Sequence, residues 1–206
     1  MDDLTRFRLR NVLSCILEGV AKRGDETLSS QRVTRFTALS TPNISIRDYM
    51  ERLYKYSKCS VECLVLGLIY IDRFIQSSDI QVNSLTVHRI LLTSVVVAAK
   101  TFDDNFYTNS HYARVGGIPA EELALLEMDF LFHIHFSLYV SCEDYERYYN
   151  QIYKHAVEYC SQCKGMDLPH LVLKSRMNEG TCLEYTKALG SRDYSPTNVN
   201  FNAPEY

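Results

Sequence analysis

The order of apolar and polar residues predicts helices from the start of the chain. From Leu9 to Val20, apolar side chains recur mostly at steps of three and four, the spacing of one buried helix face. Gly24 and the polar stretch after it predict the end of this first helix. A second helix begins at Ser45, whose hydroxyl can cap the free amides, with Asp48 three residues on as its capping partner.

Two further segments are apolar on nearly every side. One follows a capping Ser60 and runs from Val61 to Ser77; the other begins at Asn83 or Ser84 and runs to about Thr101. Three consecutive valines in the second segment could form a strand. The length of the periodic segment and the absence of a partner strand favour a helix. Because a helix that is apolar all round is surrounded by others, we expect these two helices at the centre.

Shorter patterns complete the predicted order. Gly116-Gly117 is explained by a left-handed helix end, and Pro119 suits the first position of the helix that follows. Ser141 begins another capping pattern, and beyond Gly165 the pattern fades into a polar tail. The chain is therefore predicted to be all-α. The remaining predicted segments are a short helix over 109–115, a helix over about 119–134, a helix from 142 to about 156 and a weak helix near 183–189.

Charge and cysteine content exclude several classes of protein. The chain has 206 residues and a formal net charge of −3, whereas a nucleic-acid-binding domain would be strongly basic. Its longest uncharged apolar-rich run, residues 90–99, is far shorter than the ~20 residues that cross a bilayer. The charged N-terminus does not suit a signal peptide, and seven is an odd number of cysteines. We expect no nucleic acid, no membrane, and a location in the cytoplasm and nucleus.

The residues show no enzyme motif. The sequence contains no GxGxxG, Walker loop, GxSxG or HExxH. Cys160 and Cys163 have the spacing of half a zinc site, but no second half follows, and His155 and His170 are only loosely near. We therefore predict no metal and no cofactor, although a Cys/His nucleophile stays open. The other cysteines are interpreted as small buried apolar side chains: Cys15, Cys59, Cys63, Cys142 and Cys182.

Two charges stand in apolar surroundings. Lys100 follows the uncharged run, and Glu127 lies among leucines and a phenylalanine. A buried charge needs a partner, because leaving it bare costs several kcal/mol. Either the two side chains form a local salt bridge or reach solvent, or they mark the rim of an apolar patch that another protein covers. The residues alone favour the first alternative.

At these positions the sequence resembles a known family. The strings YIDRF at 70–74, AAK at 98–100 and LE at 126–127 resemble the cyclin box. PNISI at 42–46, NSLTVHR at 83–89 and TNSHYARVGG at 108–117 are similar to the P/U-type cyclins, which are related to the fungal phosphate-signalling cyclin. The likeness covers roughly Thr41 to Tyr139, and these strings are long enough to be specific.

The resemblance implies a fold and an activity. It implies a five-helix cyclin-box bundle with a central helix over 41–140, an N-terminal helix and linker over 1–40, a C-terminal flanking helix over 141–164 and a partly ordered polar tail over 165–206. It also implies a non-catalytic regulatory subunit that binds and activates a cyclin-dependent kinase by positioning its C-helix and activation segment. We expect the free chain to be monomeric. A second box is not expected, because the residues after Ser141 are too few.

The resemblance also assigns residues. Lys100 and Glu127 match the Lys–Glu pair by which cyclins bind backbone groups beside the kinase C-helix. Asp104 matches an acidic residue that substitutes for activation-loop phosphorylation in P-type cyclins, although a solvated turn formed by Asp103 and Asp104 is an equal alternative. The segment 42–46 and Tyr49 replace the RxL-docking patch and its Trp, so RxL docking is doubtful. The apolar residues assigned to the C-helix are Phe136 and Leu138, backed by Val97 and Leu131.

Three other functions remain open at this point. A transcription factor of the TFIIB kind shares the bundle, but it would carry a basic stripe and two repeats. A helical enzyme with a Cys/His site would carry a selectively reactive thiol. A cyclin-fold scaffold would bind a kinase without activating it.

Overall fold

The computed structural model describes residues 3–27, 33–163, 165, 166 and 168. Most of the predicted polar tail, with its weak helix near 183–189, lies outside the described residues. The described part of the chain contains helices and no strand, which confirms the all-α prediction. The α-helices are α1 (Asp3–Glu26), α2 (Ile46–Ser57), α3 (Val61–Ser77), α4 (Val87–Phe102), α5 (Asn109–Gly116), α6 (Ala120–His133) and α7 (Cys142–Lys154).

The helix α3 lies at the centre of the bundle. It packs against α1, α4, α6 and α7, and its side chains are buried on almost every side. The helix α4 is buried in the same way over most of its length. This packing explains why the two segments are apolar all round, and it confirms the predicted five-helix bundle, formed by α2–α6, with α1 and α7 flanking it. Of the helices in the described residues, none has the length and hydropathy to cross a membrane.

Two predicted caps are present at the helix starts. The Ser45 hydroxyl accepts a hydrogen bond of 3.0 Å from the backbone N–H of Asp48, and the Ser141 hydroxyl accepts one of 3.0 Å from Asp144. Gly117 has a φ of 77°, the left-handed end predicted for α5. A serine or glycine at a helix end satisfies backbone groups that lack a partner within the helix, so these bounds follow from local chemistry.

Three other helix starts differ from the prediction. Ser60 precedes α3, but its side chain makes no capping hydrogen bond; its backbone N–H instead donates to the Asp103 carboxylate at 2.9 Å. The helix α4 begins at Val87, because residues 83–86 form a turn held by a 2.9 Å hydrogen bond from the Asn83 N–H to the Thr86 hydroxyl. Pro119 stands before α6 and not in its first turn.

The C-terminal end of α1 approaches the loop between α3 and α4 closely. Gly24 stays inside the helix, and a Cβ at this position would overlap the carbonyl oxygen of Val82. One residue later, the Asp25 carboxylate accepts a hydrogen bond of 2.9 Å from the backbone N–H of Ser84. Glycine is therefore required here for space and not to end the helix.

A partly buried histidine joins α4 to the segment before α2. The Nε2 of His88 donates a hydrogen bond of 2.9 Å to the carbonyl oxygen of Ile44, and its ring meets that of Tyr49 edge-on at 5.0 Å. Burial lowers the pKa of His88 below its ordinary value of 6.5, because the charged imidazolium loses hydration. His88 is therefore neutral in the folded protein near neutral pH.

Candidate functional site

Lys100 and Glu127 form a direct ion pair between α4 and α6. The Nζ of Lys100 donates to both carboxylate oxygens of Glu127, at 2.7 Å each. The Lys100 side chain is 25% exposed and that of Glu127 is 15% exposed, so water reaches the pair only from one side. Asn109 at the start of α5 donates a third hydrogen bond to Glu127 at 2.9 Å. The two charges far apart in sequence thus share one place in the fold.

The helices place this pair by ordinary packing. Ala98 and Ala99 are fully buried, and α4 packs against α6, which brings the next residue, Lys100, to the end of that contact. Lys100 also lies in the last turn of α4, where the helix dipole favours a positive charge. The pair is therefore the local salt bridge that the residues alone favour. Whether it also borders an apolar patch that another protein covers depends on the exposed residues around it.

An exposed apolar surface lies on α6 and on the turn that follows it. Leu125, Met128 and Phe132 recur at steps of three and four on α6, and each is roughly half exposed. Phe136, just beyond the helix, is also about half exposed, and its ring meets that of Phe132 at 5.3 Å. We call these four residues the α6 apolar surface. Single exposed apolar residues are common, but a cluster on one side of a helix is typical of an interaction site.

The predicted apolar residues divide into two groups. Phe136 projects to solvent, whereas Leu131 and Leu138 are partly buried against the core and Val97 is fully buried inside it. Val97 therefore packs in the core beneath the surface and cannot contact a partner directly. Leu125 and Met128 enter the sequence-based reasoning only as apolar neighbours of Glu127, and neither they nor Phe132 are predicted to belong to the site. The sequence feature that could have identified them is that α6 carries more apolar residues than one buried helix face requires.

The turn after α6 is fixed by α3. His135 and Phe136 both have left-handed φ values, 53° and 55°, which cost roughly 1–3 kcal/mol per residue and persist only where the surroundings impose them. The Tyr70 hydroxyl donates to the Leu138 carbonyl at 2.8 Å, and the Arg73 guanidinium donates to the Ser137 carbonyl at 2.6 Å. Two residues of the YIDRF string thus hold the segment that presents Phe136.

The two aspartates after α4 have different surroundings. The Asp103 carboxylate accepts the hydrogen bond from Ser60 at the start of α3. Asp104 is exposed, and within the described residues its carboxylate makes no hydrogen bond or ion pair. The interpretation of both residues as one solvated turn therefore does not hold for Asp103, while Asp104 is available to a partner.

The comparisons with known proteins agree with this geometry. The family model described as Cyclin matches residues 11–138, which is more than half of the chain. This chain belongs to the cyclin family. The match begins inside α1, so the likeness extends further toward the N-terminus than the window from Thr41 that the sequence strings indicate. Cyclins are regulatory proteins and not catalysts.

The curated relatives are cyclins of the U and P types. This cyclin is 45% identical to Cyclin-U4-1 of Arabidopsis thaliana over 147 residues, which cover 69% of this chain and 73% of the relative. It is 43% identical to Cyclin-P3-1 of Oryza sativa subsp. japonica over 147 residues, covering 69% and 62%. It is 38% identical to Cyclin-P4-1 of the same plant over 172 residues, covering 80% and 81%. These matches confirm the P/U-type resemblance.

The cysteines of this cyclin only partly follow the prediction. Cys59 and Cys63 are buried, and burial raises the pKa of the Cys59 thiol to about 11, so neither suits a nucleophile. Cys142, predicted to be buried, is exposed because it occupies the first turn of α7. Cys182 lies outside the described residues. Cys160 and Cys163, interpreted as incidental, lie beside Cys15 and His155 in a cluster that could hold a metal ion.

Proposed function

We propose that this cyclin binds a cyclin-dependent protein kinase and activates it by holding the kinase C-helix in its active position. The observation that carries the proposal is the partly buried Lys100–Glu127 pair, whose Glu127 lies on the same helix as the exposed residues of the α6 apolar surface. Phosphoryl transfer by a protein kinase needs its own Lys–Glu pair and its magnesium-binding Asp in place. A partner that contacts only the active arrangement shifts the population toward it.

The ion pair keeps capacity for further hydrogen bonds. A lysine ammonium has three donors, and Lys100 uses two of them on Glu127. A carboxylate offers about four acceptor positions, of which Glu127 uses three. One N–H of Lys100 and one lone pair of Glu127 thus remain for backbone groups of a partner. This capacity supports the role that the family resemblance gives to the pair.

The apolar surface suits an amphipathic helix. A partner helix that places apolar side chains at steps of three and four can cover Met128, Phe132 and Phe136 together. The polar groups at its end then reach the ion pair. Because the α3 hydrogen bonds hold the Phe136 segment in one conformation, little ordering entropy is lost when the partner binds.

Asp104 extends the proposal to the kinase activation segment. Its exposed carboxylate can pair with the kinase arginines that otherwise bind a phosphothreonine. Asp104→Ala is then expected to lower the activity of the complex with unphosphorylated kinase by about tenfold or more, which corresponds to ~1.4 kcal/mol. The same substitution should change little once the kinase is phosphorylated. Equal activity of the wild type and the variant with unphosphorylated kinase would refute this role.

The test of the whole proposal uses the cyclin-dependent kinases of the source organism, each produced recombinantly. Binding is measured by calorimetry and peptide phosphorylation is measured with and without the cyclin. We expect at least one kinase to bind and to become active, and Met128→Asp to abolish both effects. Binding without a gain in rate would make this cyclin a scaffold, and binding to none of the kinases would overturn the proposal.

A further inference from the structure

Four potential metal ligands meet between α1 and the C-terminal segment. Cys15 lies in the middle of α1, and His155, Cys160 and Cys163 follow α7. One donor atom from each of the four residues lies within 4.8 Å of the others. Cys15, His155 and Cys163 are buried, and Cys160 is half-buried, which leaves an entry route from solvent. This is a compact set of three sulfur atoms and one imidazole.

His155 is the second, independent observation. It is only 7% exposed, and neither of its ring nitrogens makes a hydrogen bond within the described residues. A buried polar group without a partner costs about 1–3 kcal/mol, so such groups are rare in folded proteins. Its ring faces three thiols, whose sulfur atoms are weak hydrogen-bond partners. A metal ion in the cluster would bind one of these nitrogens.

The backbone forms two non-α-helical turns at the cluster residues. A π-helical turn (His155–Tyr159) follows α7, and the N–H of Cys160 donates to the carbonyl of His155 at 3.0 Å. A 3₁₀ turn (Ser161–Cys163) comes next, in which the N–H of Cys163 donates to the carbonyl of Cys160 at 3.1 Å. Each turn begins or ends at a cluster residue. π-Helical turns are rare and occur frequently at functional sites.

We propose that Cys15, His155, Cys160 and Cys163 bind one structural Zn²⁺ ion that ties the segment after α7 to α1. Three cysteines and one histidine are a common donor set of structural zinc sites. Tetrahedral donors about 2.3 Å from a zinc ion are roughly 3.8 Å apart, so the cluster needs only small side-chain shifts to close on the ion. The thiols release their protons to solvent as the ion binds.

The neighbouring thiols offer one rival arrangement. The Sγ atoms of Cys15 and Cys160 are 3.2 Å apart, and both residues are free thiols in the structure. A disulfide between them would leave His155 and Cys163 without a role, and it requires an oxidant. Zinc engages all four residues and requires none. Cys15 and Cys160 are 145 residues apart in sequence, so the ion would close a loop that includes the whole bundle.

The experiment measures the metal content of the recombinant chain, purified without chelators and under reducing conditions. We expect about one zinc per chain by plasma mass spectrometry. Cys163→Ser and His155→Ala should lose the zinc. Loss of a residue that merely hydrogen-bonds to a metal ligand weakens metal binding about 10–100-fold, and loss of the ligand itself should weaken it more. His155→Cys should retain it, since four cysteines also hold structural zinc. Cys142→Ser, outside the cluster, is the matched control.

A measurement on the wild type keeps the test decisive if the variants do not fold. Co²⁺ added to the metal-free chain should give the absorption of thiolate-bound tetrahedral cobalt, and Zn²⁺ should displace it. Chelation should lower the melting temperature of the wild type. The proposal is overturned by a chain without zinc and without cobalt–thiolate absorption, by full zinc content in Cys163→Ser, or by a Cys15–Cys160 disulfide found by mass spectrometry under thiol-protecting conditions.

Discussion

Removing the Glu127 side chain should destabilise the protein measurably. Glu127→Ala deletes two hydrogen bonds from Lys100 and one from Asn109, and leaves an ammonium that is three-quarters buried without its counter-ion. Hydrogen bonds to charged groups contribute about 1.5–3 kcal/mol, and breaking a fully buried pair costs 3–5 kcal/mol. Because one side of this pair is open to water, we expect a loss of about 2 kcal/mol in the free energy of unfolding.

The matched control lies two residues further along the same helix. Asp129 accepts two hydrogen bonds from Arg35, at 3.0 and 3.1 Å, so Asp129→Ala also removes an ion pair from α6. That pair is more exposed, at 54% for Arg35 and 33% for Asp129. Exposed pairs contribute at most about 1 kcal/mol. We therefore expect only a small loss of stability from Asp129→Ala, which makes it the control for the unfolding measurement.

The double variant Lys100→Met/Glu127→Leu separates stability from function. Replacing both charges with apolar side chains leaves neither one unpaired, and such replacements are often neutral or stabilising. We expect its stability to return to within about 1 kcal/mol of the wild type, while kinase activation stays lost. Unfolding in urea is followed by circular dichroism, because the chain contains no Trp for fluorescence. Kinase activation is measured on the same samples.

Two results would refute this reasoning. If Glu127→Ala loses no more stability than Asp129→Ala, the pair is not shielded from water as its exposure indicates. If the double variant activates the kinase as well as the wild type does, the pair is a local structural contact only. The second result would leave the fold intact and remove the basis of the proposed function.

Two further predictions concern the packing and the pH dependence of the bundle. Gly24→Ala should lower the free energy of unfolding by about 1–3 kcal/mol, because its Cβ meets the Val82 carbonyl, whereas Gly19→Ala in the same helix should raise it by about 0.5–1 kcal/mol; equal urea midpoints would contradict this. The unfolded chain protonates His88 below pH 6.5 more readily than the folded one does, so stability should fall as the pH drops through that value. His88→Gln keeps a donor for Ile44 and should flatten this slope in urea titrations; an unchanged slope would contradict the assignment.

Local chemistry explains which parts of the fold could be predicted from the sequence. The caps at Ser45 and Ser141 and the left-handed Gly117 act within a few residues, so their patterns carry over directly to the structure. The sequence does not place the start of α4, because the side chains of Thr86 and Asn83 accept hydrogen bonds from the backbone N–H groups of Asn83 and Leu85 in a turn that competes with a helical start. At Ser60 the partner is Asp103, which no local pattern identifies.

The two sites show the same limit at larger distances. The sequence indicates Lys100 and Glu127 because each charge is unusual in its own surroundings, and the family likeness assigns the two to one pair. Cys15 gave no such signal, since a cysteine on the apolar face of a helix is ordinary. Only the packing of α1 against the turns after α7 shows that Cys15 lies beside Cys160 and Cys163.

Stability alone does not account for the composition of the α6 side of the bundle. Two apolar residues in place of Lys100 and Glu127 would hold α4 and α6 together at least as well, because they require no desolvation of charges. The exposed side chains of Met128, Phe132 and Phe136 gain little from burial in the free chain, and the turn that presents Phe136 carries backbone strain. Compared with an apolar contact or an unstrained turn, each feature lowers the stability of the isolated bundle or fails to raise it. A partner helix that covers the apolar residues and shares hydrogen bonds with the pair removes both disadvantages at once, which is why the double variant is the sharpest test of the proposed function.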